Sequence, residues 1–183
     1  MGRAEDGSPE LWVGDIGDNG SQRASVRLYR LPEPTVTDQV VSVRTVTVTW
    51  TGGARDCESI AVDPVPGGAV YLVSKEATGA GVFRLVGDYR ATGQATTGSS
   101  LGSVGNFATD AAIAPDRSRS VIRYYSSAEM RGGLLPGATP VRASMPEQVQ
   151  GEAITFAPDS RSVYLASEGK DDLIRVPLAT WAQ

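Results

Sequence analysis

Seven charged side chains stand where this chain could do chemistry: Asp15, Glu58, Lys75, Asp110, Arg123, Glu152 and Glu168. Three of them close strand-like runs in the same way. "LWVGD" (11–15), "VYLVSK" (70–75) and "VYLASE" (163–168) each end in a small residue followed by a charged one. Two more open a shared upstream pattern, "CESIAVDP" against "GEAITFAP", with Glu58 17 positions before Lys75 and Glu152 16 before Glu168. A fainter copy, "ATDAAIAPDRSRSVIRYYSS" (108–127), puts Thr109 at the acidic position, Asp110 beside it, and Tyr125 in the place of Lys75 and Glu168. If equivalent positions converge, the carboxylates suit a hard cation such as Ca²⁺, which takes oxygen ligands. They equally suit paired acid and base roles. With Lys75 and Arg123 among them, they also read as a self-neutralising collar that perturbs pKa values without catalysis.

The run "LWVGDIGDNG" (11–20) is a separate metal candidate through Asp15, Asp18 and Asn19. An EF-hand loop wants oxygen ligands at positions one, three and five, glycine at six and glutamate at twelve. Gly17 and Val26 occupy positions three and twelve, so that match fails. Asp18, Asn19 and Gly20 read as a turn following a strand that ends at Asp15. A looser oxygen site built from Asp15, Asp18, Asn19, Glu58, Asp110 and Glu152 stays open as the metal alternative.

Other chemistries are excluded or weak. The chain has no histidine, which removes Ser-His-Asp and Cys-His catalysis and His-ligated metals from a single chain. "GSSLG" (98–102) fits a nucleophile-elbow pattern but lacks a strand-to-helix context and a histidine partner. Cys57, the one cysteine, permits no intrachain disulfide and reads as a core residue just before an inner strand. Trp12, Trp50, Tyr71 and Tyr164 read as packing between sheets.

The elements that must position these residues are strands. The 183 residues, 40% hydrophobic and with 21 glycines and 11 prolines, suit one domain rich in turns. Val and Thr crowd the segments between turns, and no long stretch carries a 3.6-residue apolar period, so the fold class is all-β. A net charge of −4 argues against a nucleic-acid footprint. No apolar run approaches the roughly 20 residues of a membrane span. The opening "MGRAEDGSPE" is polar and lacks the apolar region of a signal peptide.

Strand, turn, strand, loop and strand recur, with third strands expected at "SVRLYRLPEP" (25–34), "GVFRL" (81–85) and "LIRVPL" (173–178), and an outer strand at "TVTVTW" (45–50). This predicts a β-propeller of four-stranded antiparallel blades. The units fall at about 1–55, 56–105, 106–149 and 150–183, in one domain. A β-sandwich is the alternative. Counting 16 positions back from Asp15 falls just before Met1, so the first unit is expected to lack its acidic position. Four incomplete blades predict an open arc whose edges favour self-association.

The order of these motifs resembles a family of poorly characterised bacterial β-propeller proteins, common in actinobacteria and usually exported. It is carried by "VGDIGDN" (13–19), "YRLPEP" (29–34), "DCESIAVDP" (56–64) with "VSK" (73–75), "TDAAIAPD" (109–116) with "IRYY" (122–125), and "QGEAITFAPD" (150–159) with "SEG" (167–169). The departures are Cys57 and Ser59 within the usual "EAL", "IRYY" for "VRTY", and the turns "PDRS" and "PDSR" for "PDG". The resemblance implies a propeller, an N-terminally truncated member and a cell-envelope setting, with no agreed reaction. The function expected is therefore binding of an unidentified small molecule or protein. The alternatives are a Ca²⁺-assisted hydrolase of phosphoester or lactone substrates, and an inactive fragment.

Overall fold

The computed structural model describes residues 1–169 and 172–179. The expected third strand of the last unit is present, but the end of that segment, 180–183, lies outside the described residues. Among the described residues the fold is all-β apart from one short α-helix. The first unit comprises Gly2–Arg3 (β1), Pro9–Asp15 (β2), Val26–Pro32 (β3) and Arg44–Thr49 (β4). The second comprises Cys57–Val62 (β5), Val70–Ser74 (β6) and Gly81–Val86 (β7), then the helix Tyr89–Thr92 (α1), Gln94–Thr97 (β8) and Gly102–Ser103 (β9). Asp110–Ile113 (β10), Arg119–Arg123 (β11), Ser127–Gly132 (β12) and Val141–Ser144 (β13) follow in a four-stranded sheet. Gly151–Phe156 (β14), Ser162–Ser167 (β15) and Ile174–Pro177 (β16) form a three-stranded one.

The three runs with matching ends are second strands. β2, β6 and β15 each pair antiparallel with the strand that precedes them, and none pairs with another. The first two units do not stay separate, however. β8 pairs antiparallel with β7 on one side and in parallel with β4 on the other, matching Thr47 with Gln94 and Thr49 with Thr96. The run expected to be an outer strand is thus internal to a nine-stranded sheet in the order β1-β2-β3-β4-β8-β7-β6-β5, with β9 beside β7. Its geometry comes from Gly93, whose φ of 69° ends α1 and turns the chain so that its carbonyl accepts the Thr47 N–H at 2.8 Å. The sheet curls until it nearly closes: Arg3 bridges Pro66, and Gly2 sits against the Val62 side chain.

Three cores lie between successive units, and strand alternation builds them. Val70 and Leu72 of β6 face the first core with Trp12, Leu28 and Val48. Tyr71 and Val73 of the same strand face the second with Ala111 and Ile122. Val121 faces the third with Ile154, Phe156 and Leu165. β6 is therefore buried at every position, as expected of a strand covered on both faces. The expected aromatic packing holds for Trp12 and Tyr71, and Trp50 stacks edge-on to Phe83 at 5.4 Å. Tyr164 is different: it lies on the outer face of the last sheet beneath the Arg175 guanidinium. The inner strand β10 lies against both β5 and β14, which brings the starts of all three together.

Candidate functional site

The cleft at these strand starts is built by two irregularities. β5 pairs with β6 through Cys57–Ser74 and then Ser59–Val73, so Glu58 is an extra residue in its strand. β14 pairs with β15 through Gly151–Ser167 and then Ala153–Ala166, so Glu152 is the extra residue there. A β-bulge leaves one residue unpaired and re-aims its side chain. Both glutamates turn into one open cleft of about 560 Å³, whose lining also includes Lys75, Asp110, Gln150 and Glu168. The backbone repeats too: the Lys75 N–H donates to Asp56 O at 3.1 Å, and the Glu168 N–H donates to Gln150 O at 2.9 Å.

Each charged group in the cleft has a defined neighbour. Lys75 Nζ stands 3.7 Å from Glu58 Oε1 and 5.3 Å from the centre of the Tyr125 ring. Burial pushes the Glu58 carboxyl above its usual range, with Asp56 and Glu152 adding to the rise and Lys75 opposing it. For Lys75, burial acts downward but is outweighed by a hydrogen bond with Tyr125 and by the charges of Glu58 and Glu152. Its ammonium is held above the ordinary range. The Gln150 amide nitrogen donates to Glu152 Oε1 and Glu168 Oε2, both at 2.7 Å, and so ties two carboxylates into one wall.

Asp110 sits deeper. Its Oδ1 accepts the Ala111 N–H and its Oδ2 accepts the Ile154 N–H, each at 2.8 Å, which links β10 to β14. Burial raises its pKa to about 7, against these two hydrogen bonds and the nearby Arg123 charge. Thr109, at the position the repeat gives to glutamate, donates its hydroxyl to Gly151 O at 3.2 Å instead.

Two residues expected at the rim stand elsewhere. Arg123 is fully buried beneath the cleft, because β11 is covered on both faces. Its guanidinium reaches into the last sheet and donates to Ala153 O at 2.7 Å, Ala166 O at 3.4 Å and Gln148 Oε1 at 2.5 Å. Burial lowers its pKa, with Asp110 and Glu152 opposing. Asp15 lies outside the cleft lining. Arg23, in the following loop, folds back onto it at 2.8 Å and also donates to Gly17 O, so the equivalent of Lys75 is already paired.

The opening knot is a turn. Ser21 N–H donates to Asp18 O and Arg23 N–H to Asp18 Oδ2, both at 2.7 Å, while the Asp18 N–H donates to Asp56 Oδ1. Asn19 is exposed beside it. Gly17 borders the cleft, since a Cβ there would lie 3.8 Å from Glu58 Oε1. Among the described residues, no three acidic or thiol groups come close enough together to hold one metal ion. Cys57 is fully buried, donates to Val73 O at 3.1 Å, and has its thiol pushed up to about 12 by burial. Ser100 of "GSSLG" lies in the loop before β9, without the strand-turn-helix setting of a nucleophile.

Gln150 was not among the sequence candidates. Its signal is the alignment of "DCE" with "QGE", which sets Gln150 opposite Asp56, two positions before each bulged glutamate.

No protein-family model matches the chain, and no curated protein matches it. Solved structures do. Hydrazine synthase of Kuenenia stuttgartiensis matches over 98% of this chain at 15% identity, with a TM-score of 0.54, covering 45% of that chain. A protein of Lactobacillus plantarum matches over 91% at 16% identity, with a TM-score of 0.47, covering 51% of its chain. This chain therefore spans about half the length of these structures. The likeness shows the fold alone, which is all-β and propeller-like.

Proposed function

We propose that this chain is a non-enzymatic binding module whose cleft takes a cationic, hydrogen-bond-donating group of a small molecule or protein partner. The observation that carries the reading is the pair of bulges that aim Glu58 and Glu152 into one cleft. The lining holds four carboxylates, from Glu58, Asp110, Glu152 and Glu168, against the single ammonium of Lys75. Acceptors outnumber donors there, so a positively charged donor is the complementary ligand. Asp110 already holds two backbone N–H groups and Glu58 is paired with Lys75, which suits a preorganised receptor.

In this reading the sheets are blades of a partial propeller, with units at about 1–55, 56–105, 106–149 and 150–183. The four-stranded order of β10 to β13 and the separate core at each boundary support it. The resemblance to exported actinobacterial propellers supports a cell-envelope setting.

A metal-assisted hydrolase is the second reading, favoured by Asp110, which burial brings to about 7, near the range useful to an acid or base. It requires Glu58, Asp110 and Glu152 to draw together around Ca²⁺. Calorimetric titration with spermidine and with CaCl₂, at matched ionic strength, separates the two. Saturable spermidine binding that Glu152→Gln weakens supports the binding module. Calcium binding that raises the melting temperature, together with hydrolysis of a phosphoester or lactone, replaces it with the hydrolase.

A further inference from the structure

A second charged site lies at the far end of the first sheet. On the buried face of β3, Val26 and Leu28 are followed by Arg30, and on β4 their cross-strand partners are Val48, Val46 and Arg44. The apolar ladder thus ends in two arginines directly opposite each other, an arrangement that costs stability unless an anion joins them. A hollow of about 260 Å³ opens beside this pair, with Arg90 and Thr92 of α1 and Thr45 also in its wall, and none of its lining residues is acidic.

The three guanidiniums are unequally satisfied. Arg90 donates to Glu10 Oε1 and to Gly68 O, both at 2.9 Å, and Arg30 Nε lies 3.4 Å from Glu10 Oε2. Glu5 lies 3.5 Å from Arg30 and 3.8 Å from Arg90. Arg30 and Arg90 also flank the Trp12 ring, at 5.9 and 5.2 Å from its centre, which fixes their orientation. Their side chains are only 10% exposed, and Arg90 Nε is buried without an acceptor. Arg44 is exposed, and its side chain makes no ion pair or hydrogen bond among the described residues. Glu10 and Glu5 offset two of the three charges, and the third is left over.

We propose that this hollow is an oxyanion site, taking the phosphate group of a small phosphorylated ligand against Arg30, Arg44 and Arg90. Guanidinium forks match phosphate oxygens in pairs, two of the three are held in place before a ligand arrives, and phosphate would relieve the Arg30–Arg44 repulsion. This site is independent of the acidic cleft, so its test stands apart from that reading.

The test is thermal melting of the whole chain with rising inorganic phosphate, at ionic strength held constant with NaCl. Acetate is run in parallel, and wild type is compared with Arg44→Gln and Arg27→Gln. Arg27 is exposed on the opposite face of β3 and controls for the change of charge. Phosphate also stabilises proteins generally through exclusion from their surfaces, so the variant comparison decides. The expected result is a saturable rise in melting temperature for wild type and Arg27→Gln, with the apparent affinity reduced at least tenfold in Arg44→Gln. In chloride, Arg44→Gln should melt no lower than wild type, which separates a lost site from a folding defect. An equal phosphate response in Arg44→Gln, an equal response to acetate, or no saturable response overturns the assignment.

Discussion

Glu58 and Glu152 are each the one unpaired residue of a bulged inner strand, and they enter the same cleft from sheets that flank β10. Between them Asp110 ties β10 to β14 through the Ile154 N–H. The arrangement places titratable groups where the sheets meet, so stability and binding should share a dependence on pH.

Asp110 gives that dependence its sign. Its folded pKa, raised to about 7 by burial, lies above the ordinary 3.8. The folded state therefore binds more protons than the unfolded state between these values, and stability should fall as the pH rises through that window. Glu58 is shifted in the same direction. Urea melts at pH 5 and pH 8 should show the protein more stable at pH 5, and Asp110→Asn should shrink the difference. In ¹³C carboxyl spectra Asp110 should titrate near neutrality, and titration near 4 would remove this account of its environment.

Arg123 should behave as structure. Arg123→Ala removes donors to Ala153 O, Ala166 O and Gln148, and takes away a positive charge that acts on Asp110, at an expected cost of about 3 kcal/mol or more. Gly151→Ala should also destabilise, because a Cβ there would overlap the Arg123 guanidinium and the Tyr125 carbonyl. Chemical denaturation checks both, and a loss below about 0.5 kcal/mol for Arg123→Ala would contradict the buried network.

Gly93 tests the joining of the first two units. Its φ of 69° and the 2.9 Å from a built Cβ to Thr45 O predict that Gly93→Ala costs about 1–2 kcal/mol. Hydrogen exchange should show the loss concentrated at the Thr47 amide, whose partner is the Gly93 carbonyl. Uniform loss of protection would argue against a local role.

Cys57 should be silent. Its fully buried thiol, with a pKa pushed up to about 12, predicts no reaction with a disulfide reagent in the native protein and one equivalent after unfolding. Fast native-state labelling would show that the inner strand opens.

The repeat was legible because its signal is one-dimensional. The near-equal spacings from Glu58 to Lys75 (17 residues) and from Glu152 to Glu168 (16 residues) survive in the fold as paired strands, each with a bulge at its glutamate. Even Thr109 and Tyr125, which break the charge pattern, occupy its positions: Thr109 donates to Gly151 O, and Tyr125 stands against Lys75. Features that depend on a third element were not legible. Arg23 claims Asp15 from a loop eight residues on, and Arg123 lies buried because two other sheets cover its strand. The parallel pairing of β4 with β8 depends on a left-handed glycine 46 residues beyond Thr47. The Arg30–Arg44 pair had a local signal, since each extends an alternating apolar face by one step, but only the register sets them opposite each other.

The measurement that bears most directly on the account is amide chemical-shift mapping during titration with spermidine, at constant ionic strength. If the cleft is the binding site, saturable shifts should cluster at Glu58, Lys75, Asp110, Gln150 and Glu152, and both Glu58→Gln and Glu152→Gln should weaken the apparent affinity several-fold. Shifts scattered over the acidic surface, or a cluster that persists unchanged in both variants, would contradict it.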